Sequence, residues 1–360
     1  MLIPAEKLIQ LSTEILQAAG VPPATARAVA NHLVEANLKG HDSHGVGLVP
    51  AYVASILAGH IKPHTHIQIK KDSGAVLSLE GGTGLGRVVG MEAMDLGMER
   101  ARQHGISCIA LGNVGHLGRI GAFAEYCADQ GFVSTHYVNV VGHDPTTIAY
   151  GGRDRRFITN PFCCAVPRPG GEHVVLDMAT TTIAAGKVRV AYMQGTTVPP
   201  NSLVDADGME TNDPRALFGR DSAGAMQPFG LHKGYGLMVM CELIGGALGG
   251  LFTLQPNNPR QGATLNNMLS IIIDPEAIGD VQAFQAEVES MIDHIYSSRP
   301  ASGVDRVRLP GDPERESDVQ RTAAGVDIDE RSLRQILDSA STAGLEPTSL
   351  IQRFELGTEV

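Results

Sequence analysis

The sequence predicts a mixed α/β (α+β) protein, helical towards both ends of the chain and strand-rich in between. Three observations lead there. Apolar residues recur at helical spacing through the first forty positions and again beyond position 280. From about Ser73 to Leu176, short runs rich in Val, Ile and Cys alternate with Gly- and Pro-containing turns. The regular strand–helix–strand order of a doubly wound sheet is not kept.

Each element carries its own signal. Leu8, Leu11, Ile15, Leu16 and Ala19 line one face of a first helix, which Gly20 ends. Pro22-Pro23 opens a second helix, because a first turn tolerates proline. Ala26, Val29, Ala30, Leu33 and Val34 carry its apolar face to Lys39, and Gly40 stops it. A third helix begins near Pro50. Strands are expected over 76–79, 106–111, 132–141, 163–166, 174–176 and 270–274, and helices over 91–104, 120–130, 282–297 and 329–339. The apolar stretch 237–248 is too short for a membrane span and contains Glu242. It reads as a buried core helix whose Gly245-Gly246 allows close packing. No internal repeat marks a solenoid.

The 360 residues suffice for two domains with real cores. A net charge of −11 disfavours nucleic acid and anionic membranes as partners, since both need clustered Lys and Arg. The N-terminus lacks the basic start and apolar run of a secretion signal. Five cysteines, Cys108, Cys127, Cys163, Cys164 and Cys241, form no Cys-x-x-Cys and are odd in number. That argues against a disulfide framework or a thiolate zinc site. A cytoplasmic chain with reduced thiols is expected.

Two constellations stand out. Gly81-Gly82-Thr83-Gly84-Leu85-Gly86 follows a strand and precedes a helix, yet the G-x-G-x-x-G spacing is missing. No acidic residue closes a second strand about twenty residues on. A glycine-rich turn is expected there, and no Rossmann domain. His41-Asp42-Ser43-His44 lies just past the second helix and admits three readings. It could be a polar surface turn, a metal site using His41, Asp42 and His44, or an acid/base histidine tuned by a hydroxyl and a carboxylate.

Further motifs lie in order along the chain. His41-Asp42-Ser43-His44-Gly45-Val46 with Pro50-x-Tyr52-Val53 is followed by Asn113-Val114-Gly115-His116-Leu117-Gly118-Arg119 and Thr159-Asn160-Pro161. Then come Leu176-Asp177-Met178-Ala179-Thr180-Thr181, Gly186-Lys187, His232-Lys233-Gly234-Tyr235-Gly236 and Leu309-Pro310-Gly311-Asp312. This set resembles the malate/L-lactate dehydrogenase family that is unrelated to the Rossmann enzymes, and especially its hydroxycarboxylate dehydrogenase subgroup. The likeness spans nearly the whole chain.

The resemblance implies a non-Rossmann fold in which residues 1–74 with 232–360 form a helical, substrate-side domain. Residues 75–231 would form a mixed, largely antiparallel sheet domain that binds the cofactor. It implies an NAD(P)-dependent 2-hydroxyacid dehydrogenase, with NAD or NADP as cofactor, a small 2-oxo or 2-hydroxy acid as substrate, and a homodimer. His44 would be the proton donor and acceptor, beside Ser43 and with a contact to the cofactor; His116 would be a second catalytic histidine. The cofactor segments would be Gly118, Arg119 and Ile120; Asp177, Met178, Ala179, Thr180 and Thr181; Lys233; Asn266; and Pro310, Gly311 and Asp312. Leu48 and Asn160 would face the substrate. Members of the family often carry Arg at the position of Leu48, as a clamp on the substrate carboxylate. Here that charge is missing, which implies a substrate with an apolar side chain, the carboxylate falling to Arg119, Arg189 or backbone amides near Asn160. Two other classes remain open: a metal-dependent hydrolase or lyase, and a non-catalytic dinucleotide-binding protein.

Overall fold

A computed structural model describes residues 1–220, 222–250, 252–260 and 262–356. The first two helices, Ala5–Ala18 and Pro23–Leu38, form where the apolar spacing predicts them. Leu8, Leu11, Ile15 and Leu16 of the first, and Ala26, Val29, Leu33 and Val34 of the second, are buried together. They share a core with the helices Val49–Leu57 and Glu330–Thr342, so the two chain ends meet in one helical layer. Asp329 caps the last of these by accepting from the Ser332 N–H.

The middle of the chain builds a seven-stranded sheet from β1 (Gln68–Ser73), β2 (Val76–Glu80), β3 (Ile106–Gly115), β4 (Val133–Val141), β5 (Phe162–Val166), β6 (Val174–Met178) and β7 (Leu265–Ile273). Their order is β1-β2-β3-β7-β4-β5-β6. Every neighbouring pair is antiparallel except β2 with β3. The expected mixed, largely antiparallel sheet is therefore present. Helices Gly86–His104 and Gly121–Asp129 cover it, burying Val89, Met94 and Phe123 against Ile109, Leu111 and Met268. Five short strands, including Thr147–Ile148 and Leu203–Val204, form a second small sheet.

Two expectations need correction. The sheet does not respect a boundary at 75 and 231, because its middle strand, β7, comes from 265–273. The physical reason is the run Met268-Leu269-Ser270-Ile271-Ile272, almost wholly buried, which needs a strand on either side. The stretch 237–248 is not a fully buried helix either. It continues the α-helix His232–Met240 as a π-helix over Cys241–Leu248, with Met240, Leu243 and Leu248 exposed along one face. The close packing is real on the other face: a Cβ at Gly245 would lie 2.5 Å from the Tyr137 carbonyl oxygen.

Candidate active site

Gly40 ends the second helix, and two short 3-10 turns, Asp42–His44 and Val46–Leu48, bring the chain to the helix Val49–Leu57. The loop is pinned from behind. Asn37 donates to Asp42 Oδ1 at 2.7 Å and accepts from the Val46 N–H at 2.8 Å, while Arg321 donates to both Asp42 oxygens. His41 pairs with Glu314 at 3.2 Å. Only Ser43 and His44 turn to the front, with Ser43 Oγ 3.0 Å from His44 Nδ1. His41, Asp42 and His44 thus point to three different partners and do not converge as metal ligands. Asp42 anchors the turn and does not orient His44.

His44 stacks on His116, their ring centroids 5.4 Å apart and the planes at 18°. His116 ends up there because of the glycine-rich turn. A Cβ at Gly86 would stand 2.2 Å from the His116 carbonyl oxygen, and one at Gly115 would stand 2.6 Å from the Gly84 oxygen. Only glycine permits that approach. Tyr52, one turn into the third helix, places its hydroxyl 2.8 Å from His116 Nδ1.

Burial, with His41 and Arg119 nearby, lowers His44 to about 4; burial and the neighbouring imidazoles lower His116 as well. His32 and His136 are lowered to about 4, chiefly by burial. Each of these rings is neutral in the fold and protonates more readily once unfolded, where its value is near 6.5. Their contribution is complete above about pH 6.5 and is lost as pH falls towards 4. Denaturant midpoints should therefore fall between pH 7.5 and pH 5, before carboxylates of ordinary or lowered pKa take up protons. A flat profile over that range would contradict this account.

A cavity of about 260 Å³ opens against Ser43 and against His116, the stacking partner of His44. That suits a small acid and is too small for a dinucleotide, since whole ligand pockets start at roughly 300 Å³. Its wall includes Ser43, Tyr52, Ser55, His116, His143 and Thr264 with the apolar Leu48, Ala51, Ala54, Ile61 and Leu85. Leu48 is thus part of this cavity's wall.

The expected cofactor segments are neighbours. The N–H groups of Gly118, Arg119 and Ile120, just before the helix Gly121–Asp129, have no partner among the described residues. Asp177 Oδ2 accepts from the Gly121 N–H at 2.7 Å and ties that corner to β6. Thr180 continues from β6 to Phe229, whose N–H it accepts, and so to the exposed Lys233. Gly186 lies 3.6 Å, measured from an added Cβ, from Ser43. Pro310 accepts from the Val175 N–H, which sets 310–312 beside β6. Free backbone donors, a helix start and a lysine with no ion-pair partner among the described residues suit a pyrophosphate, so these residues fit a dinucleotide.

Several single residues turn out otherwise than expected. Arg119 is 2 % exposed and its guanidinium is held by Glu35 and Glu125, so its side chain is not free for a substrate carboxylate. Arg189 is exposed on the helix Ala185–Gln194 and does not line the cavity. Asn160 is wholly buried, its amide donating to Met238 O and Glu242 Oε2 and its oxygen accepting from the Val140 N–H. Its side chain has no free donor for a substrate. Asn266 holds the Leu117 N–H and the Asn139 carbonyl, fixing the strand next to His116. Asp312 accepts from Leu309 N–H and the Tyr296 hydroxyl, and so locks the 309–312 turn instead of meeting a ligand. Sequence reasoning missed Ser55, His143 and Thr264, which lie in no motif, and left Tyr52 without a role.

Known proteins resemble this chain over nearly its whole length. A family model described as malate/L-lactate dehydrogenase matches residues 3–337. Hydroxycarboxylate dehydrogenase B of Escherichia coli is 41% identical over 352 residues, covering 97% of this chain and 96% of that one. L-lactate dehydrogenase of Cupriavidus necator is 39% identical over 86% of this chain and 89% of its own. The solved structure of sulfolactate dehydrogenase from Methanocaldococcus jannaschii superposes with a TM-score of 0.84 at 31% identity, covering 97% of this chain and 99% of that one.

Proposed function

Since the chain belongs to the malate/L-lactate dehydrogenase family, whose named relatives are dehydrogenases of 2-hydroxy acids, we propose that His44 exchanges the proton in such a reaction here. The observation that carries this reading is the stacked His44–His116 pair, with Ser43 on Nδ1, beside a cavity sized for a small acid. NAD or NADP, when bound, would supply or take the hydride. Its holding residues would be the backbone of Gly118 to Ile120, the segment Asp177 to Thr181, and Lys233.

The chain's own part is proton handling and orientation. In the oxidation direction neutral His44 takes the hydroxyl proton of the hydroxy acid; in reduction its imidazolium returns that proton to the oxygen. Ser43 holds Nδ1, which leaves Nε2 for the substrate. Tyr52 holds Nδ1 of His116 in the same way and keeps that ring as the stacking partner. The apolar wall formed by Leu48, Ala51, Ala54 and Ile61 favours a substrate with an aliphatic or aromatic side chain. The exposed apolar face at Met240, Leu243 and Leu248 supports a homodimer.

The test is a panel of 2-oxo acids, from pyruvate to phenylpyruvate, with NADH and NADPH in turn, followed by loss of the reduced cofactor's absorbance. Turnover is expected with at least one acid, greater for the larger apolar side chains, and unchanged by chelator. Saturable dinucleotide binding without turnover would point to a non-catalytic binding protein. Activity abolished by chelator and restored by metal would point to a metal enzyme.

A further inference from the structure

A 2-oxo acid carries a carboxylate, and an anion moved from water into a largely apolar cavity needs a charged partner. No Lys or Arg is among the described residues that line this cavity. His116 is engaged with Tyr52 and His44, so one ionisable base on the wall is uncommitted. His143 follows β4 at a built corner. Gly142 has φ +95°, and a Cβ there would meet the Ala263 carbonyl oxygen at 2.0 Å. The Gly262 N–H donates to Gly142 O, fastening this corner to the 262–264 segment. His143 Nε2 lies 3.0 Å from Thr264 Oγ1, and Nδ1 has no partner among the described residues.

We propose that His143, steadied by Thr264, receives the substrate carboxylate. The assignment rests on the 2-oxo acid reading above. As an imidazolium the ring donates through Nε2 to the Thr264 oxygen and through Nδ1 to the carboxylate. Burial outweighs the adjacent Asp144, which is itself paired with Arg260, and holds the ring below its ordinary value in the absence of substrate. An arriving carboxylate adds the second favourable charge. The apolar side chain of the acid then lies along Leu48 and Ala51, and the anionic end determines which way round the substrate sits.

The test compares the wild-type protein with His143→Ala and with His143→Ala/Leu48→Arg. Three probes serve: phenylpyruvate, its uncharged methyl ester, and oxamate, a 2-oxo acid analogue whose binding to the NADH-loaded protein is measured calorimetrically. His143→Ala should raise KM for phenylpyruvate and Kd for oxamate by about 10- to 100-fold, the range for a hydrogen bond to a charged group. Its kcat and the ester's KM should stay near wild type. Adding Leu48→Arg should recover part of the oxamate affinity. The assignment is overturned if His143→Ala keeps the wild-type acid-to-ester preference and oxamate affinity, or if its loss falls on kcat and affects acid and ester alike. Wild-type protein that binds oxamate through His143 yet reduces no oxo acid would sink the dehydrogenase reading while leaving His143 as an anion site. A wild type that does neither sinks both.

Discussion

His44→Ala should lower kcat for reduction of the preferred 2-oxo acid by about 100- to 10,000-fold, the usual worth of a positioned acid or base. Dinucleotide affinity should stay close to wild type, because the residues proposed to hold it are 118–120, 177–181 and Lys233. The expectation rests on where the ring stands. Ser43 fixes Nδ1, and the stack on His116 fixes the plane, so one imidazole nitrogen has a set direction. His116→Ala is the necessary comparison, since the two rings share the site. It should remove the stack and cost less than His44→Ala; a larger loss for His116→Ala would transfer the proton role to that ring. The electrostatics add a directional consequence. With His44 lowered to about 4, the free protein at neutral pH holds the form that accepts a proton. Oxidation of a hydroxy acid is thus ready without prior protonation, whereas reduction needs a proton taken up with the substrate anion. In the reduction direction kcat/KM should decline as pH rises from 5 to 8, and the same rise should not harm oxidation. A reduction rate that increases with pH over this range would contradict His44 as donor.

The helical layer was legible in the sequence because each helix buries one continuous stripe: Leu8, Leu11, Ile15 and Leu16 are as hidden as their spacing implies. Strands with apolar alternation were legible for the same reason. β1 was not, since every residue of Gln68–Ser73 is exposed and an edge strand needs no apolar face. The helix Asp312–Ala324 was invisible too, because its inward contacts are polar, Ser317 to Leu38 and Arg321 to Asp42. At the site, whole-chain resemblance singled out His44 and His116, whereas local sequence left His44 among three readings. Ser55, His143 and Thr264 could not be found that way. They come from three distant stretches and meet only because β7 lies between β3 and β4. Asn160, Asn266 and Asp312 illustrate the reverse error. Asn160 and Asp312 lie in the family's motifs and Asn266 was singled out beside them, but such a match marks a residue that matters without saying whether it touches ligand or holds the backbone that does.

Arg119 is the clearest of these holding residues, and its replacement should have the largest effect on stability. Its guanidinium is buried between Glu35 and Glu125, with Lys39 bonded to Glu125 at 2.6 Å. Burial alone would raise the Glu35 carboxyl, yet Arg119 and Lys39 bring it down to about 2. That group's contribution is therefore present above its unfolded value of 4.5 and lost as pH falls through about 2. Arg119→Met keeps the stem and removes the charge, leaving two carboxylates short of a partner. Breaking a buried pair from one side costs about 3–5 kcal/mol, and denaturant unfolding at pH 7 should show a loss of that size. The triple variant Arg119→Met/Glu35→Gln/Glu125→Gln should regain much of it, because the cost lies in the stranded charges and not in the missing bond. The position also links stability to function. Arg119 stands in the corner whose free N–H groups precede the helix Gly121–Asp129, so Arg119→Met should weaken dinucleotide binding as well. Recovery of stability in the triple variant without recovery of dinucleotide affinity would mean that the guanidinium itself shapes the corner. An Arg119→Met protein as stable as wild type would show that the two glutamates are already satisfied by Lys39 and solvent.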